Sequence, residues 1–251
     1  MTDAIRYPFS ETLRNQTIGL EAVTLLLVVP LCVAGASLTW SGRRAGPVLA
    51  LAAASYSAYM LVQYLIGPGY VHYPHVLPLH LGLFILSGFV AIRAWSAVEA
   101  AGLPRMTNRV ARRRAIVLIV LAVFITSRYA PALLGVWNSH AIAPEFAREP
   151  GMFWSILTLD LGVVVPVTLY ASLALWRGSP TAPKLLYAVL GWFALVPPSV
   201  AAMAVVMVLN DDPHKSVASA GLFLAAAAVF GAYATRVLRP LLRGREAETT
   251  S

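Results

Sequence analysis

The chain has 251 residues, of which 59% are hydrophobic and 12% are charged, whereas an average soluble domain has about 25% charged residues. Several apolar runs exceed the roughly 18 residues that a helix needs to cross the hydrocarbon core of a bilayer, so the composition excludes a soluble protein. The net charge of +8 does not indicate nucleic-acid binding, because the bases fall in loops between apolar runs. The single cysteine, Cys32, excludes an internal disulfide and a cysteine metal cluster.

Seven membrane-spanning helices are predicted, linked by short segments rich in glycine, proline and charge. This pattern predicts a single all-α membrane domain over residues 1–251, with no room for a soluble domain and no evident internal repeat. In chain order, spans 1 to 7 are predicted at approximately residues 17–40, 47–66, 76–96, 114–136, 152–176, 185–208 and 217–237.

The distribution of lysine and arginine predicts the orientation of the bundle. Fourteen bases lie on one side of the seven spans and four on the other, with Arg128 left inside span 4. Because cytoplasmic loops of membrane proteins are enriched in bases, we expect an outside N-terminus, a cytoplasmic C-terminus and a location in the cell membrane. Cleavage of a signal peptide after Ala36 is the alternative, but the stronger basic flank follows span 1, which favours a retained helix.

Two charges lie inside predicted spans. Asp160 is the carboxylate in the apolar run "SILTLDLGVVVPV" of span 5, and Arg128 lies in span 4. Each is about eight residues from the outer end of its span, at a depth of roughly 12 Å. Equal depth and opposite sign predict an ion pair between them. Such a pair either fixes helix packing only or forms the charge centre of a site for a ligand, an ion or a proton.

Span 2 carries a polar stripe near the same depth, formed by Ser55, Tyr56, Tyr59 and Gln63 at helical spacing. This stripe predicts either hydrogen bonds between helices or one wall of an outward-facing polar pocket. Glu21 in span 1 and His80 in span 3 also lie towards the outer end. The residues predicted for a ligand site or a buried ion pair are Arg128, Asp160, Tyr59, Gln63 and Glu21.

Histidines near the outer surface offer a different site. In "HYPHVLPLH", His72, His75 and His80 are the candidate ligands of a transition metal, because neutral imidazole binds copper, zinc, nickel and iron. Pro74 and Pro78 interrupt the segment, so helical spacing does not place the three rings together. The sequence therefore does not favour a resident metal, since no closed ligand set is evident.

Seven spans with an outside N-terminus are the topology of rhodopsin-like proteins, but span 7 contains no lysine and Lys215 precedes it, so no retinal is expected. No nucleotide-binding or hydrolase motif occurs.

The sequence thus favours a non-enzymatic protein whose outward-facing polar pocket binds or conducts a small ligand or ion. An accessory or assembly subunit of a larger membrane complex is the first alternative. A metal-dependent membrane enzyme or metal chaperone that uses the outer histidines is the second. The expected partners are the lipid bilayer and a second membrane protein or copy of the chain, and not nucleic acid.

Overall fold

The computed structural model describes residues 10–67, 74–135, 142, 146–147 and 149–243. Over these residues the chain is helical without strands, and seven helices are long and apolar enough to cross a membrane. The predicted all-α class and the predicted number of spans are therefore confirmed, and the orientation of the termini stays a prediction. Spans 1 to 7, numbered as above, are Glu11–Trp40, Ala45–Ile66, Leu77–Ala97, Asn108–Gly135, Pro150–Arg177, Ala182–Leu209 and Val217–Arg243.

Span 1 begins at Glu11, six residues before the predicted start. Ser10 caps this end, because its Oγ accepts the Leu13 N–H at 3.4 Å. The first turns are polar but buried: Thr12 and Asn15 are 5% and 2% exposed. They pack against the loop that follows span 6, so the helix extends past the apolar run that predicted it.

Spans 1 and 5 each contain one π-helical turn, at Thr24–Val28 and Asp160–Val164. Each turn is followed by a proline, Pro30 or Pro166. A proline has no N–H, and its ring collides with the carbonyl four residues earlier. The wider turn relieves this conflict, and the residue before each proline donates its N–H to the carbonyl five residues back. These two prolines are therefore accommodated by π turns, which often occur at functional sites.

Spans 2 and 6 form the centre of the bundle and contact each other. Span 3 packs on span 2, span 7 on span 6, and span 4 on span 5. The central helices approach closely at Gly191, where an added Cβ would lie 2.5 Å from the Cβ of Ala52. Several of the most deeply buried large side chains lie along these two helices, including Tyr56, Tyr187, Leu186 and Leu190.

Candidate functional site: the buried carboxylate of span 5

Asp160 is the first residue of the π turn in span 5, and its side chain is only 8% exposed. Both carboxylate oxygens accept a hydrogen bond from a tyrosine. The Tyr59 hydroxyl of span 2 donates to Oδ1 at 2.6 Å, and the Tyr129 hydroxyl of span 4 donates to Oδ2 at 2.5 Å. Three spans thus meet at one carboxylate whose two oxygens are both hydrogen-bonded.

The predicted direct ion pair between Arg128 and Asp160 is not formed. Arg128 is exposed on the outer face of span 4, with its Cζ 5.9 Å from the ring centroid of the neighbouring Tyr129. Successive residues of an α-helix point about 100° apart. Because the buried Tyr129 occupies the face towards span 5, Arg128 lies on a different face of span 4, and its charge acts on Asp160 only from beyond ion-pair distance. A long arginine at this depth can extend its guanidinium towards the membrane surface instead.

Two residues of the span 2 stripe, Tyr56 and Tyr59, form hydrogen bonds between helices, which was one of the two interpretations of the stripe. Besides the bond from Tyr59 to Asp160, the Tyr56 hydroxyl lies 2.6 Å from the Ser199 hydroxyl of span 6. Gln63 is buried one turn beyond Tyr59. Glu21 is exposed on the part of span 1 that packs on span 6, so the fold does not bring it to Asp160.

The histidines predicted as metal ligands are not gathered in the described part of the chain. His75 is exposed in a short turn that precedes span 3. His80 is buried, with its ring tilted against Tyr64 at a centroid distance of 5.4 Å. His72 lies outside the described residues. Among residues 10–67, 74–135 and 149–243, no three histidine, cysteine, aspartate or glutamate side chains are placed to hold a metal ion.

A cavity of about 200 Å³ lies beside the carboxylate, between spans 2, 5 and 6. Its surface is apolar, unlike the polar pocket expected from the sequence. Three polar residues line it, but each already has a hydrogen bond: Ser55 to the Leu51 carbonyl, Thr168 to the Val164 carbonyl, and Tyr59 to Asp160. The full lining is Leu51, Ser55, Tyr59, Val163, Val164, Val167, Thr168, Ala188, Val189, Trp192 and Phe193.

A larger cavity, of about 320 Å³, lies where span 1 turns into span 2 and includes Arg43, Arg44 and Glu99. It is remote from the buried carboxylate and opens among the basic residues at the predicted cytoplasmic end. Charged side chains at a helix end are ordinary features of membrane proteins. The smaller cavity is therefore the better candidate site, because a buried ionisable group inside a span lies next to it.

A second buried carboxylate, Asp212, lies at the predicted outer end of the bundle, in the loop after span 6. Asp212 is 1% exposed and accepts hydrogen bonds from Thr12 Oγ1 at 3.0 Å, Asn15 Nδ2 at 2.7 Å and the His214 N–H at 2.8 Å. Burial alone would raise the pKa of this carboxyl, but these hydrogen bonds hold the pKa below its ordinary value. The neighbouring Asp211 is exposed and paired with Lys215. Asp212 thus joins span 1 to the end of span 6.

Sequence reasoning found Asp160 and Tyr59 but missed Tyr129 and the partners of Asp212. Tyr129 is adjacent to Arg128. Because Arg128 is charged, it was predicted as the partner of Asp160 in place of its neighbour Tyr129. Apolar flanks at Pro131 and Ala132 gave no stripe that would identify the buried face. The signal that could have found Asp212 is the polar start of span 1, where Thr12, Asn15 and Gln16 follow a capping serine.

Comparisons with protein-family models, with curated proteins and with solved structures find no match. The function is therefore argued from the geometry of the chain.

Proposed function

We propose that this protein binds a small cationic ligand or a proton at Asp160 and conducts or carries it across the membrane. The observation that carries the proposal is the placement of one buried carboxylate well inside span 5, where two tyrosines from separate spans hold it. An ionisable side chain within a span is costly, and such residues commonly mark ion and substrate pathways. A carboxylate supplies the negative charge that a cation needs, and each hydroxyl oxygen retains lone pairs for it.

The test is the electrical response of purified protein in liposomes on a solid-supported membrane. Protons, sodium, ammonium and benzyltrimethylammonium are applied in turn as concentration jumps. We expect at least one of the four to give a transient current that Asp160→Asn abolishes. The matched control is Asp211→Asn, which removes an exposed carboxylate of the loop after span 6 and should leave the current unchanged. Currents that are identical in the wild type and Asp160→Asn would contradict the proposal.

The proposal includes the orientation expected from the bases, with the N-terminus outside and the C-terminus in the cytoplasm of a cell whose plasma membrane holds the protein. A reporter fused after Arg245 should then read cytoplasmic, and one inserted before Ser10 should read external. Two reporters on the same side would contradict this topology, because seven spans place the ends on opposite faces.

The first alternative is an accessory or assembly subunit, and open glycine positions on the peripheral helices favour it. An added Cβ at Gly82 or Gly88 of span 3, or at Gly221 or Gly231 of span 7, would meet no described atom within 4 Å. Small residues on an exposed helix face let a second membrane helix approach closely. Purification from native membranes, with mass spectrometry of what remains bound, tests this alternative. A stoichiometric membrane-protein partner whose retention is lost in Gly231→Leu would support it.

A further inference from the structure

Several structural features of the first half of the chain recur in the second half at one constant spacing, although the sequence shows no evident repeat. The only two π turns of the described residues begin at Thr24 and Asp160, which are 136 positions apart. Pro30 and Pro166, which follow these turns, are separated by the same 136 positions. A π turn is rare in proteins, so its recurrence at a matched place in spans 1 and 5 indicates that the two helices are equivalent.

The equivalence continues into the next helix. Gly42 and Gly178 are again 136 positions apart, and they are the two glycines of the described chain with a positive φ, +68° and +65°. Each ends its helix in the left-handed conformation that glycine adopts readily. Pro47 and Pro183, near the starts of spans 2 and 6, hold the same separation. Spans 1 and 2 therefore correspond to spans 5 and 6. The correspondence covers the π turns, the prolines and the conformation of the loop glycines.

The packing has the matching symmetry. Span 3 lies on span 2 as span 7 lies on span 6, and the first part of span 1 contacts span 6 as the first part of span 5 contacts span 2. These crossed contacts are close: Gly19 abuts the backbone of Met203, and Gly67 abuts Met152. Spans 1–3 and 5–7 are thus two similar units joined by span 4. Since equivalent spans cross the membrane in the same direction, the units are parallel repeats, an arrangement that recurs in transporters.

The apolar cavity lies at the interface of these two units. Span 2 of the first unit and spans 5 and 6 of the second line it. Ser55 is near the middle of Ala45–Ile66, and Val163 and Val164 are near the middle of Pro150–Arg177. In transporters built from repeats, the substrate site lies at the repeat interface near the midplane of the bilayer.

The cavity wall suits an apolar body with aromatic contact. The Tyr59 and Trp192 rings meet edge to face with centroids 5.2 Å apart, and Phe193 stands beside Trp192 at 5.0 Å. At about 200 Å³ the cavity is smaller than the roughly 300–1,000 Å³ of drug-sized sites. A compact ligand of one ring or a few short alkyl groups fits this space.

A buried carboxylate adjoins the cavity, although it is not part of the lining. Val164 lines the wall, and Asp160 precedes it by one turn of the π-helical segment of span 5, where both are buried. Tyr59 both lines the cavity and donates to the Asp160 carboxylate. Aromatic faces and a carboxylate together attract a cation, and most strongly one that is weakly hydrated.

We propose that this cavity is the substrate site of a carrier for small organic cations, compounds with an apolar body and one ammonium group directed towards Tyr59 and Asp160. The inference rests on the proposed function and names the substrate class of the same site. An inorganic cation or a proton needs the carboxylate but has no use for the apolar wall. A neutral ligand, such as a lipid chain, would use the wall but not the carboxylate.

The experiment compares benzyltrimethylammonium with its neutral isostere neopentylbenzene, which has the same shape without the charge. Binding to the protein in lipid nanodiscs is measured by calorimetry against empty nanodiscs. We expect the cation to bind at least tenfold more tightly than the isostere, and Asp160→Asn to remove this preference. Equal affinity for the two compounds would overturn the inference and indicate a neutral ligand.

Filling the cavity tests its location. Ala188→Met places a longer side chain in the cavity and should weaken binding of benzyltrimethylammonium at least tenfold. Ala204→Met is the matched control, because Ala204 lies on the same helix outside the lining and is also half-buried. Val163→Phe, at a lining position that is 51% exposed, is a second filling variant with a small risk to folding. Unchanged affinity in a folded filling variant would overturn the inference.

The two proposals fail separately. Currents with protons or sodium that depend on Asp160, together with no binding of benzyltrimethylammonium, would overturn the substrate class and leave the charge site standing. Loss of binding in Ala188→Met but not in Asp160→Asn would keep the cavity as a binding site and overturn both the cation preference and the role of Asp160.

Discussion

The π turns of spans 1 and 5 are equivalent in backbone and opposite in environment. The turn in span 1 starts at Thr24, which is exposed and whose Oγ1 donates to the Leu20 carbonyl of its own helix at 2.8 Å. The turn in span 5 starts at Asp160, which is buried and held by two other spans. Of the five residues in the first turn, only Val28 is buried. The same local geometry therefore serves as a proline-induced bend in one helix and as the base of a polar site in the other.

The irregular backbone alone therefore does not create the site. A proline produces the wide turn in both helices, and the surrounding spans decide what the turn presents. Span 5 turns its first π residue towards Tyr59 and Tyr129, whereas span 1 turns Thr24 outwards. A site appears where the wide turn, a titratable residue and two hydroxyl donors coincide.

The largest effect is expected from Asp160→Leu. This change leaves the Tyr59 and Tyr129 hydroxyls buried without their acceptor, and each unsatisfied group costs about 1–3 kcal/mol. We expect the free energy of unfolding in detergent to fall by about 3 kcal/mol or more. The control Thr24→Leu, at the equivalent position of span 1, should change stability by less than about 0.5 kcal/mol. Similar losses in the two variants would remove the contrast between the turns.

A loss of comparable size, in membrane insertion rather than in unfolding, is expected from Thr24→Asp, which places a carboxylate at the equivalent turn without donors from other spans. An unpartnered aspartate near the centre of a helix disfavours membrane insertion by about 2.5–3.5 kcal/mol. The fraction of span 1 that inserts, measured with a glycosylation reporter, should fall in this variant. Normal insertion and stability would show that the environment of span 1 also accommodates a carboxylate. The two π turns would then be similar in environment as well as in backbone.

The cap at Asp212 should give a loss of about 1 kcal/mol in Asp212→Asn near neutral pH, since one charged acceptor becomes a neutral one. The pKa of Asp212 is lower in the folded chain than its ordinary value of about 3.9. The ionised form therefore stabilises the fold above that ordinary value, and this contribution disappears as the pH falls through the lowered pKa. Unfolding curves of the wild type and the variant should converge below about pH 4. A constant difference across this range would contradict the linkage.

Much of the fold could be predicted from the sequence, because the length of each apolar run is a strong indication of a membrane-spanning helix. All seven spans appear, and several boundaries, such as Trp40 and Ile66, match the prediction. The start of span 1 could not be predicted, because Thr12 and Asn15 are polar and are helical only through contacts with the loop after span 6. Hydropathy has no information on such contacts between distant segments.

The site was predicted in part for a related reason. Depth along a helix follows from counting residues, so Asp160 and Tyr59 were placed at one level. Depth does not give the direction in which a side chain points around the helix axis. This direction determines that Tyr129, and not Arg128, contacts Asp160. The repeat was hidden because, beyond three proline and glycine pairs, most equivalent positions differ in residue type, as Thr24 and Asp160 do.

Asp160 is held by a direct hydrogen bond from Tyr129 and forms no ion pair with Arg128. Two double-mutant cycles in the same detergent test it, one combining Asp160→Asn with Tyr129→Phe and the other combining Asp160→Asn with Arg128→Ala. Residues in direct contact show coupling of about 0.5–3 kcal/mol, whereas separate ones are additive within about 0.5 kcal/mol. We predict coupling above about 1 kcal/mol in the tyrosine cycle and a smaller coupling in the arginine cycle, where only a charge beyond ion-pair distance is removed. The reverse pattern, with additivity for Tyr129 and strong coupling for Arg128, would contradict the account and restore the ion pair.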